Sequence, residues 1–194
     1  MKIRAWHVVL VIMVIIGVWG VGFYNSLVSL EEGANQKWAD VKVQYQRRAD
    51  VIPQLVATVE GVAGFEKSTY TAVTEARTGW LNSQKTPDVR DDLVSARSFD
   101  SALSRLLVSV ENYPQLKANE NFLSLQAQIE GTENRISVAR RDYNQIATLL
   151  NVRVRRFPGN LVAGVLGFDK RELFESDEGS EKAPEIDFDF NTQK

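Results

Sequence analysis

The sequence predicts an all-α protein: a single N-terminal transmembrane helix followed by an elongated antiparallel helical bundle of long helices. Three observations carry that expectation. Residues 6–24, WHVVLVIMVIIGVWGVGFY, are apolar apart from His7 and come close to the ~20 residues a helix needs to cross a bilayer. Beyond them, apolar side chains recur in steps of three and four over long stretches, the period of an amphipathic helix. Ahead of residue 186, nothing sustains the period of two that a half-buried strand requires.

The N-terminal element divides the chain into a short leader, residues 1–4, and a spanning helix over 5–24 that meets the lipid bilayer. Lys2 and Arg4 precede the apolar run, whereas its other flank is uncharged up to Glu31 and Glu32. Excess positive charge is retained on the cytoplasmic side, which puts residues 1–4 in the cytoplasm and the rest outside it. Trp6, Trp19, Phe23 and Tyr24 suit the interfacial zones. A cleaved signal peptide is the competing reading. The run exceeds the usual apolar core of about 7–15 residues and no A-x-A-like site follows, so the expectation is an uncleaved anchor. Gly17, Gly20 and Gly22 do not make the spacing of a G-x-x-x-G contact face, so no transmembrane dimer is expected from them.

Residues 25–168 form the expected bundle. Leu27, Leu30, Ala34, Trp38, Val41, Tyr45, Ala49, Ile52, Val56, Val59 and Ala63 line one side of a long helix. Pro53 removes a backbone hydrogen bond from it, but the apolar phase runs through, which favours a kink over a break. The pattern continues less regularly through Phe65, Tyr70, Val73 and Ala76 to Trp80, with Gly61 and Gly64 as weak points. The polar stretch 82–92 connects to a second helix, expected to start at Pro87 with Thr86 as its N-cap. Leu93, Ala96, Phe99, Leu103, Leu106 and Val110 form its stripe, and Pro114 marks the next break. The third helix has the clearest signal: Phe122, Leu125, Ile129, Thr132, Ile136, Ala139, Tyr143, Ile146 and Leu150 follow the heptad spacing. Over residues 120–156 it would be roughly 55 Å long at ~1.5 Å per residue, with Pro158 ending it. Residues 160–168, NLVAGVLGF, form a short apolar fourth helix after the basic run Arg153, Arg155 and Arg156. Residues 169–194 are acidic and hold Gly, Ser and Pro, so a largely disordered tail is expected there. Ile186, Phe188 and Phe190 alternate with acids within it, as a solvated tail or as an edge for a partner.

The charges of the third helix are the candidate site. With Ile129, Ile136 and Tyr143 at a, and Thr132 and Ala139 at d, Glu133 and Arg140 fall at e while Arg135 and Asp142 fall at g. These four flank the helix seam, and none has an oppositely charged i, i+4 neighbour in this stretch. Their partners should lie on neighbouring helices, and the first helix offers Asp40, Arg47, Arg48, Asp50, Gln54 and Glu60. A register-fixing interhelical network is the main reading. A ligand or partner site and a catalytic carboxylate pair are the alternatives.

Much chemistry is excluded by composition. With 23 basic and 25 acidic side chains the formal net charge is -2, so no basic field recruits nucleic acid. The chain has no cysteine, and its one histidine is His7, beside the apolar run. Thiolate chemistry, Ser-His-Asp catalysis and histidine- or cysteine-ligated metals are thereby removed from the bundle. Neither G-x-x-x-x-G-K-[ST] nor G-x-G-x-x-G occurs, so no nucleotide cofactor, or any other, is expected.

YNSLVSLEE, QRRADVIPQLVATVEGVAGFE, ANENFLSLQAQIEGTENRISVARRDYN and RRFPGNLVAGVLGFDKRELFE together resemble the LemA family of bacterial membrane proteins, over essentially residues 1–190. The resemblance implies a membrane-anchored helical bundle of the bacterial inner membrane, with no catalytic residues assigned. The family often repeats Tyr-Asn late in the third helix, where this chain has Leu150 and Asn151. The functional expectation is a non-enzymatic interaction or scaffold protein of the cell envelope, with an envelope protein as partner and a homo-oligomer left open. The runner-up is a membrane-surface or peptide-binding module, in which Arg153, Arg155, Arg156, Leu161, Val165 and Leu166 touch lipid or a client. A carboxylate-based hydrolase of envelope polymers is the third reading, and it needs a cleft holding two acids.

Overall fold

A computed structural model describes residues 5–86 and 88–175. Helix α1 spans Ala5–Glu60, α2 Lys67–Ser83, α3 Val89–Val110, α4 Pro114–Lys117, α5 Glu120–Arg155 and α6 Gly159–Leu166. Among the described residues there is no strand. The expected all-α architecture is observed.

Contact order along the helices sets their directions. Gly33 meets Ile146, Lys37 meets Asp142, Tyr45 meets Arg140 and Arg48 meets Glu133, so α5 runs antiparallel to α1. Trp38 reaches Asp92, Tyr45 reaches Asp100, and the carbonyl of Gly64 accepts from Tyr113 just past α3. These rise together, so α3 runs parallel to α1. The α2–α3 hairpin therefore covers only the distal stretch of α1, from about Trp38 onward. The proximal stretch has α5, α6 and the chain after α6 as neighbours instead.

Two cores follow from this division. The larger joins Trp38, Tyr45, Ile52 and Val59 of α1 to Trp80 of α2, Phe99 and Leu106 of α3, and Phe122, Ile136 and Tyr143 of α5. The smaller joins Phe23, Leu27, Leu150, Ala163 and Phe168. Burying a side chain of this size stabilises by about 1.5–3 kcal/mol, so the apolar stripes account for the pairing of the helices.

Several boundaries differ from the sequence expectation. The stripe through Trp80 is not one helix: α1 ends at Glu60, and the chain reverses over 61–66. Gly64 sits there at φ 86°, a left-handed conformation that a side chain disfavours. The cap of α3 is Asp88, whose carboxylate accepts from the Arg90 amide at 2.8 Å, and the helix starts at Val89. Thr86 instead donates its hydroxyl to the Ser83 carbonyl at 3.0 Å. The start expected at Pro87 lies outside the described residues. Of the expected tail, residues 171–175 lie in contact with the bundle, where Leu173 and Phe174 pack against the larger core, and residues 176–194 lie outside the described residues. The alternation of Ile186, Phe188 and Phe190 lies outside the described residues.

Pro53 stays inside α1, and a neighbouring helix compensates for it. Proline has no N–H to give the carbonyl four residues back, that of Ala49. Arg77 of α2 donates its Nε–H to that carbonyl at 2.7 Å, so the freed acceptor becomes an interhelical tie. Arg77→Met should cost about 1–2 kcal/mol, the penalty of an unsatisfied acceptor. In a Pro53→Ala background the helical N–H returns, and the same substitution should cost much less. Thermal melts of the four proteins check this, and equal costs in both backgrounds would refute the compensation.

Candidate functional site

The bundle contains a polar centre where its apolar stripes are broken by charge. Arg48 is 1% exposed and faces two carboxylates, donating to Asp100 of α3 at 2.6 Å and to Glu133 of α5. Arg140 of α5 donates to the other oxygen of Asp100 and to the Tyr45 hydroxyl. Tyr45 in turn donates to Asp100 at 2.8 Å. Asp100 thus accepts from two guanidinium groups and a phenol, tying α1, α3 and α5 together. The Arg140 guanidinium also lies over the Tyr45 and Phe174 rings, 5.3 and 4.9 Å from their centres.

A second polar node lies nearer the α2–α3 turn. Asp92 is 1% exposed and accepts from Trp38 Nε1 at 3.3 Å and from Gln84 Nε2 at 2.8 Å, with Lys42 Nζ 3.1 Å away. A carboxylate this deep needs such partners, and they come from α1 and the end of α2.

The chain after α6 is held by a third set of polar groups. Asn144 and Asn151 lie seven residues apart on α5, so both project from the same side. The Asn144 side chain donates to the Phe174 carbonyl at 2.8 Å and accepts from the Phe174 amide at 2.9 Å. Asn151 makes the same two contacts with Arg171, both at 2.8 Å. Each side-chain amide therefore pairs with main chain as a neighbouring strand would. Tyr143 donates to the Glu172 carbonyl at 2.9 Å, and Arg171 reaches Glu31 and Asn35 of α1 at 3.0 and 3.1 Å. Burial pushes the Tyr143 phenol up to about 12; the Arg171 guanidinium opposes that and the Glu172 carboxylate adds to it.

The expected site residues divide sharply. Glu133 and Arg140 join Arg48 in the polar centre, and Asp142 makes a separate pair with Lys37 at 3.6 Å. Arg47 and Arg135 are exposed, and neither pairs with an acid among the described residues. Arg135 instead borders a shallow groove between α1 and α5 that includes the exposed Val43 and Val138. At the proximal end Arg153, Arg155 and Arg156 are exposed, as are Leu161, Val165 and Leu166. Arg153 stacks over the Phe23 ring at 5.0 Å, and Arg153 and Arg155 occupy the last turn of α5, where cations complement the helix dipole.

The sequence model of the LemA family matches residues 37–188, most of the chain and nearly all of the bundle. The chain belongs to the LemA family. Among similar proteins are the magnetosome proteins MamQ 1 and MamQ 2 of Paramagnetospirillum magneticum, each 25% identical over 78% of this chain and 64% of the relative. The matched region thus spans just under two thirds of those relatives. A protein named LemA from Metamycoplasma hominis is 27% identical over 81% of this chain and 71% of its own length.

For this LemA-family chain the chemistry of the polar centre is restrictive. Asp100 and Glu133 border a cleft of about 600 Å³ together with Arg48, Arg97 and Arg140. A general acid needs a proton to give, and a general base needs a free lone pair aimed at substrate. Both oxygens of Asp100 already accept from the protein. Among the described residues, no three His, Cys, Asp or Glu side chains converge to hold a metal ion.

Asp100 escaped the sequence reading, which placed Tyr45 only in the apolar stripe and Asp92 only in the polar connection. Asp92 had a signal: positions 92, 96, 99, 103, 106 and 110 keep a strict alternation of four and three, so the acid occupies a core position.

Asp100→Asn should be the most damaging single change, at roughly 3 kcal/mol, because Arg48 then stays buried with one anion fewer. Glu133→Gln should cost less, since that side chain is 56% exposed, and Arg135→Gln should fall within about 0.5 kcal/mol of zero. Chemical denaturation ranks the three, and an Arg135→Gln loss equal to that of Asp100→Asn would contradict the assignment.

Tyr143 predicts an alkaline limit. Its folded pKa lies above the unfolded value of 10, so its contribution to stability is intact below pH 10 and is lost as pH rises toward 12. Urea midpoints across that window should fall more steeply for the native chain than for Tyr143→Phe. Parallel curves would exclude this role.

Proposed function

We propose that this LemA-family protein is a single-pass, membrane-anchored bundle of the bacterial cell envelope, non-enzymatic, with a protein-interaction or scaffold role. One observation carries the reading: α1 changes surface character without changing course. From Trp6 through Val21 its large apolar side chains are exposed, whereas from Phe23 onward one face is buried under the bundle. Unbroken helix is what an apolar span requires, because a bilayer core offers no hydrogen-bond partners to the backbone. It is the one helix among the described residues long and apolar enough to cross a membrane.

The charge bias of Lys2 and Arg4 favours a cytoplasmic N-terminus, with the bundle on the opposite face of the inner membrane. A non-catalytic role fits the polar centre, whose Asp100 is committed to Arg48, Arg140 and Tyr45. The surface left for a protein partner includes the groove at Val43, Arg135 and Val138. The magnetosome relatives share the region matched here, so a common role would reside in the bundle, with the partner differing between proteins.

Two measurements test the proposal together. The chain should stay in the membrane pellet after alkaline carbonate extraction, and photo-crosslinkers replacing Arg135 or Val138 in intact cells should capture a defined envelope protein. Release by carbonate would sink the anchor. Crosslinks to copies of the chain alone would replace a scaffold for other proteins with a homo-oligomer.

A further inference from the structure

The proximal end carries a surface that the bundle does not use. Helix α6, GNLVAGVL, contains no charged residue, and Val165 is 86%, Leu161 61% and Leu166 46% exposed, with Phe157 just before the helix at 81%. Apolar patches left open on this scale mark a contact with something apolar. Leu161, Val162, Val165 and Leu166 form one wall of a groove of about 600 Å³, and Gly17, Gly20, Val21 and Tyr24 of α1 form the other. No charged side chain lines it.

The position of α6 along α1 is fixed by close packing. A Cβ on Gly159 would lie 2.8 Å from Phe23 Cε2 and 3.0 Å from the Arg153 carbonyl oxygen, so only glycine allows this approach. Ala163 and Phe168 join Phe23, Leu27 and Leu150 in the smaller core, and Tyr24 meets the Phe168 ring at 6.0 Å. The helix is thus docked beside residues 17–24, the last ~10 Å of the apolar segment at 1.5 Å per residue.

We infer that α6 is a second membrane contact: an interfacial helix whose Leu161, Val165 and Leu166 face lipid acyl chains in the leaflet nearest the bundle. The inference rests on the reading that residues 5–24 cross the bilayer. If they do, a helix docked beside residues 17–24 lies at acyl-chain depth, and its outer surface is continuous with that of the span. The backbone is suited to that depth. At the N-terminal end the Asn160 amide donates to the Arg156 carbonyl at 2.8 Å and the Leu161 amide to that of Pro158 at 3.2 Å. At the C-terminal end Gly167 turns at φ 75° and the Phe168 amide returns to the Ala163 carbonyl at 3.0 Å. Arg153, Arg155 and Arg156, just before α6, supply the cationic rim that suits lipid phosphates. Gly17 and Gly20 leave the groove floor open, with nothing within 4 Å of a Cβ placed there. The occupant that fits a slot open along the span and free of polar partners is an acyl chain.

The absence of cysteine makes a direct test available. Single substitutions Val165→Cys, Val14→Cys and Ser68→Cys, each in the full chain, are labelled with the environment-sensitive fluorophore NBD. The proteins are reconstituted into vesicles of phosphatidylcholine and phosphatidylglycerol, with or without brominated acyl chains. The label at position 165 should emit to the blue of that at position 68 and lose roughly half its intensity with brominated lipid, as expected for a group ~5–10 Å into the interface. The label at position 14 reports on the span itself. A label at 165 that behaves like that at 68, while that at 14 is quenched, overturns the α6 contact alone. An unquenched label at 14 overturns the span, and the inference with it. Copper-catalysed disulfide dimers of Val165→Cys that match the shielded fraction would assign the surface to a second copy instead.

Discussion

Asp100 is the point on which the arrangement of the helices depends. Its carboxylate receives Arg48 from α1 and Arg140 from α5, with Tyr45 completing the set. Burying a guanidinium is costly, and its attraction to a carboxylate offsets that cost only when the geometry is satisfied. The net gain from the cluster is therefore small, whereas the penalty for disrupting it is large. That asymmetry makes it a register device. Sliding α5 by one heptad, ~10 Å, would still oppose apolar side chains to apolar side chains, but would leave Arg48 without Glu133 and Asp100 without Arg140. Apolar stripes bring the helices together; the charges select one alignment among several.

Much of the fold was legible because the heptad in α5 is nearly unbroken, and Glu133, Arg140 and Asp142 could be placed beside its seam from spacing alone. The failures are as informative. Arg47 and Arg48 are adjacent in sequence and ~100° apart around the helix, which suffices to put one in solvent and the other in the core. Positions 34, 38, 41, 45, 48, 52, 55 and 59 keep the four-three alternation without error, and all are buried. Arg48 belongs to that set. Taking polar residues as interruptions of the stripe leaves Arg48 undistinguished from Arg47 among the candidate partners, and the same habit hid Asp92. Asp100 carried less signal, because it sits one residue after Phe99 and its role comes from side chains 52 residues before it and 40 residues after it.

The acidic composition after residue 168 pointed to disorder, yet Arg171 to Phe174 lie along the bundle. Composition registers how much apolar surface a segment can bury. It does not register that Asn144 and Asn151 supply main-chain hydrogen bonds in place of a strand. The same substitution of side chain for backbone recurs at Pro53, where Arg77 replaces a missing amide. In both places a group distant in sequence completes a backbone that local rules would leave unsatisfied. The α2–α3 hairpin reaches only the distal stretch of α1, so the proximal stretch relies on α5, α6 and this extended segment for cover.

Helix α1 joins the apolar segment to the polar centre with no loop between them, over 56 residues. Rotational phase is therefore inherited along its length: the direction in which the Gly17 and Gly20 side looks determines the compass bearing of Arg48 and of every surface mounted around it. Adding one residue between Tyr24 and Lys37 would turn everything beyond by about 100° and raise it by ~1.5 Å, severing Phe23 from Gly159 as α5 and α6 move with the bundle. The heading of the bundle is thus encoded as a residue count, and residues 25–37 behave as the calibrated part of the shaft.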